Sequence, residues 1–196
     1  MKKPLLALLL FNLCCFTYLS AQDLINFNQT RLKKQKTSML VLGTWAVGNI
    51  AVGTTLGATT SGERQYFNYM NAGWNLVNLG LATVGYWTAT KADPASFDLY
   101  QSIQEHHSTQ KIFLFNAGLD VGYMAGGLYL MERAKNTENN PARLRGFGKS
   151  ILLQGGFLFV FDLAAYWWQS KGNGDIVPLL EGLSFNGSSI GWRLQF

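Results

Sequence analysis

The amino-acid sequence predicts an all-α membrane protein, a polytopic four-helix bundle that ends in a short extended C-terminal tail. Three observations carry that expectation. Charged residues make up only 14% of the 196-residue chain, against roughly 25% in ordinary globular proteins. Four apolar stretches each have about the 20 residues that cross a bilayer as a helix. Within them, polar residues recur at steps of three and four, the helical period. Aromatic residues at 14% and 21 glycines fit the same environment, where charge is costly and Gly, Trp and Tyr are common.

The N-terminus reads as a secretory signal peptide over residues 1–22. Lys2 and Lys3 form a charged start, "LLALLLFNLCCF" is the apolar segment, and "SAQ" offers a cleavage site near Ala21 or Gln22. Leu19 departs from the small-residue rule at that site, and an uncleaved anchor is the alternative. Both cysteines, Cys14 and Cys15, lie inside the segment. Cleavage therefore leaves no disulfide or thiolate site. It also lowers the formal net charge from +5 by two, to +3, too small and scattered an excess to suggest nucleic acid.

Residues 23–196 are then expected to form a single membrane domain with helices at about 38–60, 66–89, 112–131 and 150–169. The connections are a short "SGER" turn, a polar loop over 91–111 and "ERAKNTENNPARLRGFGK". Residues 65–90 hold no charge, and Asn68, Asn71, Asn75, Asn78, Ala82 and Gly85 follow the helical period through them. Asn116, Asp120, Tyr123 and Gly127 repeat the rule, and Gln154, Asp162 and Tyr166 lie at multiples of four. "VGNIAVG" (47–53) parallels "VGYMAGG" (121–127), and "LATVGYW" (81–87) parallels "LAAYWW" (163–168), which suggests one helix hairpin used twice.

An outer-membrane β-barrel is the alternative fold, because "SIGWRLQF" alternates apolar and polar residues up to a terminal Phe. Uncharged runs such as 37–62 are too long for single strands of about 10 residues. "SFNGSS" before that ending suggests a short hairpin or extended tail. Charge leaves topology divided. An exported N-terminus puts Arg133, Lys135, Arg143, Arg145 and Lys149 inside, as the positive-inside rule asks, but Arg31, Lys33, Lys34 and Lys36 outside.

The residues singled out as an intramembrane polar network are Asn49, Asn71, Asn75, Asn78, Asn116, Asp120, Gln154 and Asp162. Polar side chains cannot face hydrocarbon unpaired, so they must face other helices or water. They serve either as interhelical hydrogen bonds, with Gly53 and Gly57 in GxxxG spacing and other glycines smoothing the contact, or as a polar cavity. Asp120 and Asp162, near the middle of their stretches, favour passage of a proton or cation in the second case. Glu105, His106 and His107 are expected in a solvated loop, and HExxH spacing is absent. No GxSxG, Walker A or GxGxxG arrangement suggests an enzyme, and no cofactor or metal is expected.

"MLVLGTWAVGN", "MNAGWNLVNLG", "FDLYQSIQE", "FNAGLDVGY" and "GLSFNG" resemble an uncharacterised family of small bacterial envelope proteins. The resemblance implies a signal-like N-terminus followed by about four membrane helices, and it implies no activity. The functional expectation is a non-enzymatic integral protein of the bacterial envelope, in the inner rather than the outer membrane. Its polar seam would serve packing or assembly, as a homo-oligomer or within a larger envelope complex.

Overall fold

The computed structural model describes the backbone of residues 3–180, 183–185 and 190–192, and the side-chain surroundings of residues 22–177, 179 and 180. Four long helices dominate it: α1 (Lys3–Thr59), α2 (Gly62–Lys91), α3 (Leu99–Arg133) and α4 (Pro141–Ser170). A single turn, α5 (Val177–Leu180), follows. Two three-residue strands, β1 (Leu183–Phe185) and β2 (Ile190–Trp192), then pair antiparallel. The fold is all-α, and a barrel is set aside. The rest of the tail, residues 193–196, lies outside the described residues.

Local chemistry sets the helix ends. Gly62, at φ +62°, takes the left-handed backbone that reverses the chain between α1 and α2. At the start of α3, an Asp98 carboxylate oxygen accepts from the Gln101 N–H at 2.7 Å, and Gln101 Oε1 accepts from the Asp98 N–H at 3.2 Å. That reciprocal pair satisfies two backbone donors. Asn140, also left-handed (φ 54°, ψ 58°), caps α4 ahead of Pro141 by accepting from the Arg143 N–H. Its Nδ2 donates to Tyr66 Oη at 3.1 Å, tying the start of α4 to α2.

The Asp98 cap corrects one sequence expectation. Residues 91–111 are not a loop throughout, because α3 begins at Leu99 and carries Glu105, His106 and His107 on its first turns. Signal cleavage near residue 22 would fall within α1, which runs unbroken from Lys3 to Thr59.

α1 packs along α2 and α3 along α4, and the two hairpins join chiefly through α2 on α4. Glycine makes these crossings close. A Cβ on Gly53 would stand 2.6 Å from the Asn68 carbonyl oxygen of α2, and one on Gly127 would stand 2.7 Å from the Gly148 carbonyl oxygen of α4. These two glycines end the paired "VGNIAVG" and "VGYMAGG" segments, so the repeat marks equivalent crossings. By contrast Gly48, Gly73, Gly80, Gly122 and Gly126 face open space and are not contact surface.

Polarity runs inside out. Asn68, Asn71, Asn75, Asn78, Asp120, Gln154 and Asp162 are buried, while Leu76, Val77, Leu81, Val84, Phe115, Val160 and Trp167 are exposed. Two helical segments, Gln22–Thr59 and Pro141–Asn173, are long and apolar enough to cross a membrane. Asn, Gly and Tyr hold α2 and α3 below that measure.

Candidate functional site

The buried polar residues fall into three groups, and the sequence-predicted network divides between the first two. The first is a seam joining α1, α2 and α4. Asn71 Nδ2 donates to Asn49 Oδ1 at 2.9 Å, and Asn71 Oδ1 accepts from Gln154 Nε2 at 2.6 Å and from Ser150 Oγ at 3.1 Å. Gln154 Oε1 in turn accepts from Trp45 Nε1 at 2.9 Å, while the Trp45 ring stacks on Phe157 at 3.7 Å. Asn49 Nδ2 donates to the Trp45 carbonyl, and Asn75 Nδ2 to the Asn71 carbonyl. Every amide here meets both a donor and an acceptor requirement, as a buried polar group must.

Why these residues meet follows from helix geometry. Asn68, Asn71, Asn75 and Asn78 stack on one face of α2 because positions three and four apart are neighbours on a helix. Gly53 on α1 lets that face approach closely. Ser150 and Gln154, four apart on α4, present to it from the other side.

The second group is a cavity of about 150 Å³ between α2, α3 and α4, with Leu42 of α1 at its back. Asp120 and Asp162 line it, together with Asn78 and Asn116. Asp120 is 2% exposed, and its Oδ2 finds no partner among the described residues. Asn78 Nδ2 donates to Asn75 Oδ1 at 3.3 Å, the one hydrogen bond between seam and cavity among the described residues. Trp74 and Tyr123 also line the cavity, edge to face at 4.9 Å. Asn49, Asn71 and Gln154 therefore do not join the carboxyl pair, and Asn75 reaches it only through Asn78.

The third group was missed in the sequence. Where α1 precedes its apolar stretch, Asn28 Nδ2 donates to Ser102 Oγ at 2.8 Å and to the Pro94 carbonyl at 3.3 Å. Arg31 Nη2 donates to Asn28 Oδ1 at 3.4 Å, and the guanidinium lies 4.9 Å from the Phe97 ring centre. His106, 2% exposed, stands edge-on to Phe27 with its Nε2 2.8 Å from both Asn173 Oδ1 and Gln110 Nε2. The expected solvated histidine is thus a buried one. Burial chiefly, and next to it the positive charge of Lys34 and Arg31 and the neighbouring His107, hold its pKa below the ordinary 6.5 against the Asn173 hydrogen bond. The signal was present in the sequence: Ser102, His106 and Gln110 recur every four residues into Phe113.

Among the described residues, no group of three or more His, Cys, Asp or Glu side chains could hold a metal ion. Fold and interior define a class of protein, an all-α bundle with amides and carboxyls within and aliphatic and aromatic side chains without. The chain belongs to the DUF6992 family, a family of unknown function, whose model matches residues 41–163. That match takes in all eight residues of the predicted polar network. Comparison with curated proteins and with solved structures gives no match.

Proposed function

We propose that this is a non-enzymatic integral membrane protein of the bacterial envelope, crossing the bilayer four times, in which the amide seam holds the two hairpins together. The inside-out distribution carries the reading. Exposed Leu76, Val77, Leu81 and Val84 on α2 suit lipid, while the amides opposite them are paired within the chain. A soluble bundle would place these classes the other way round. Trp87 and Trp167, 63% and 61% exposed near one end of the bundle, suit an interfacial belt. The signal-like N-terminus supports export.

The seam supports packing rather than catalysis, because its members are saturated by one another and present no free group to a substrate. A second copy or an envelope complex is the partner this reading favours. Membrane fractionation tests it: the protein is expected in the pellet after alkaline carbonate washing, with a helical circular dichroism spectrum in detergent. Release into the wash would overturn it.

The carboxyl pair supports a second reading, a small transporter or channel-like protein passing a proton or cation. Two carboxyls lining one cavity, with an Asp120 Oδ2 that has no partner among the described residues, favour it, since structural acids are normally paired. Liposome flux abolished by Asp120→Asn is the result expected on that reading.

A further inference from the structure

We infer that the cavity between α2 and α3 is a binding site for a primary alkylammonium, its charged head on Asp120 and Asp162 and its apolar tail leaving between the two helices. The inference rests on the second reading for the site itself and names its ligand class.

The floor of the cavity asks for a cation that donates hydrogen bonds. Two carboxyls line the cavity, and no Lys, Arg or His lines it to balance a negative charge there. Asn78 spends its Nδ2 on Asn75, and among the described residues its Oδ1 receives no hydrogen bond. Asn116 has no hydrogen bond from its amide at all among those residues. A primary ammonium has three N–H donors, enough for one carboxylate oxygen and two amide oxygens.

The walls ask for an organic cation. Trp74 and Tyr123 line the cavity in edge-to-face contact, and aromatic walls attract ammonium groups. A bare Ca²⁺ or Mg²⁺ ion would instead want six or more hard oxygens. The volume of about 150 Å³ holds an ammonium head with its first few carbons, as liquid water occupies about 30 Å³ per molecule.

The rim asks for an apolar tail. The α2 and α3 backbones stand apart, bridged by Trp74 and Tyr123, and Val77, Leu81 and Leu119 at the cavity edge are 65%, 60% and 42% exposed. A polar solute would meet these side chains as a barrier, whereas an alkyl chain is stabilised by them.

The test is calorimetric titration of the full chain in detergent with hexylammonium chloride, with sodium chloride and hexanol as separate probes. Saturable binding of hexylammonium alone is expected. Asp120→Asn should weaken it about tenfold or more, the worth of one hydrogen bond to a charged group. Leu81→Trp, which narrows the rim and spares the carboxyls, should weaken it too and covers the case of a misfolded Asp120→Asn. Equal heats from hexanol or sodium, no binding of hexylammonium, or binding indifferent to both substitutions would overturn the assignment. Flux in liposomes is scored separately, so a bound amine without ion passage would defeat the transport reading and leave the site standing.

Discussion

The seam and the cavity lie within a few residues of each other on α2 and α4, yet they treat polarity in opposite ways. In the seam, Asn71 satisfies Asn49, Ser150 and Gln154 at once, and the group closes on itself. Two helical turns further along α2, Asn78 faces a cavity lined by Asp120 and Asp162, and its own Oδ1 receives no hydrogen bond among the described residues. The difference teaches that depth in the bundle does not decide what a polar residue does. The decision lies with its neighbours, and with whether the helices close around it.

The largest expected effect breaks the seam. Asn71→Ala takes a hydrogen bond from Asn49, Ser150 and Gln154; Gln154 Nε2 and Asn49 Oδ1 keep each other at 3.4 Å, while Ser150 is left unpaired, at about 1–3 kcal/mol per buried group. Thermal unfolding in detergent should show a loss of about 2–3 kcal/mol. A loss below about 1 kcal/mol, close to the mean of interhelical bonds in membranes, would mean that the partners re-pair and that the seam is not what holds the hairpins together.

Crowding the crossing is expected to come next. Gly53→Leu drives a side chain at the Asn68 carbonyl, and overpacking of this kind costs about 1–3 kcal/mol. Gly73→Leu, on a glycine facing open space, is the control and should be close to neutral. Equal losses from both would deny the crossing its special role.

Asp120→Asn should sharpen the contrast by doing little to stability, within about 1 kcal/mol, because it removes an oxygen that stabilises nothing in the folded chain. A loss as large as that of Asn71→Ala would make the carboxyl pair a second seam. The buried His106 gives a pH test of the third polar group. Its folded pKa lies below 6.5, so the unfolded chain binds the extra proton first. The contribution of a neutral His106 is complete above pH 6.5 and is lost as pH falls below it. The unfolding temperature should drop over that range, and less so in His106→Gln. The smallest effect is expected at the exposed Glu63–Lys149 pair, 2.5 Å apart. Glu63→Ala should cost less than about 1 kcal/mol at the surface, and a larger loss would mark that end of the bundle as more than a solvated rim.

Much of this was legible in the sequence, and particular residues show how. The spacing of Asn68, Asn71, Asn75 and Asn78 identified a helix with one polar face, because only a period near 3.6 puts all four together. The paired segments ending in Gly53 and Gly127 pointed to the hairpin pairing. The start of α3 was not read, since the polar residues of 91–111 hid a helix whose buried face is itself polar. Asp98 and Gln101 stood at capping-box spacing, and Ser102, His106 and Gln110 at helical spacing. Composition outweighed both.

Periodicity and turn chemistry are local, so four long helices and a polar row on each of α2, α3 and α4 could be read from the chain, and the paired segments suggested two hairpins. Only the tertiary structure decided which rows meet. Gln154 and Asp162 lie eight positions apart on α4, about 12 Å along a helix axis. At Gln154, α1 and α2 close on α4 and the amides saturate one another. At Asp162, the α2 and α3 backbones stand apart and two carboxyls line a cavity. The close approach of backbones at glycine made the first environment, and the wider spacing of the α2 and α3 backbones made the second.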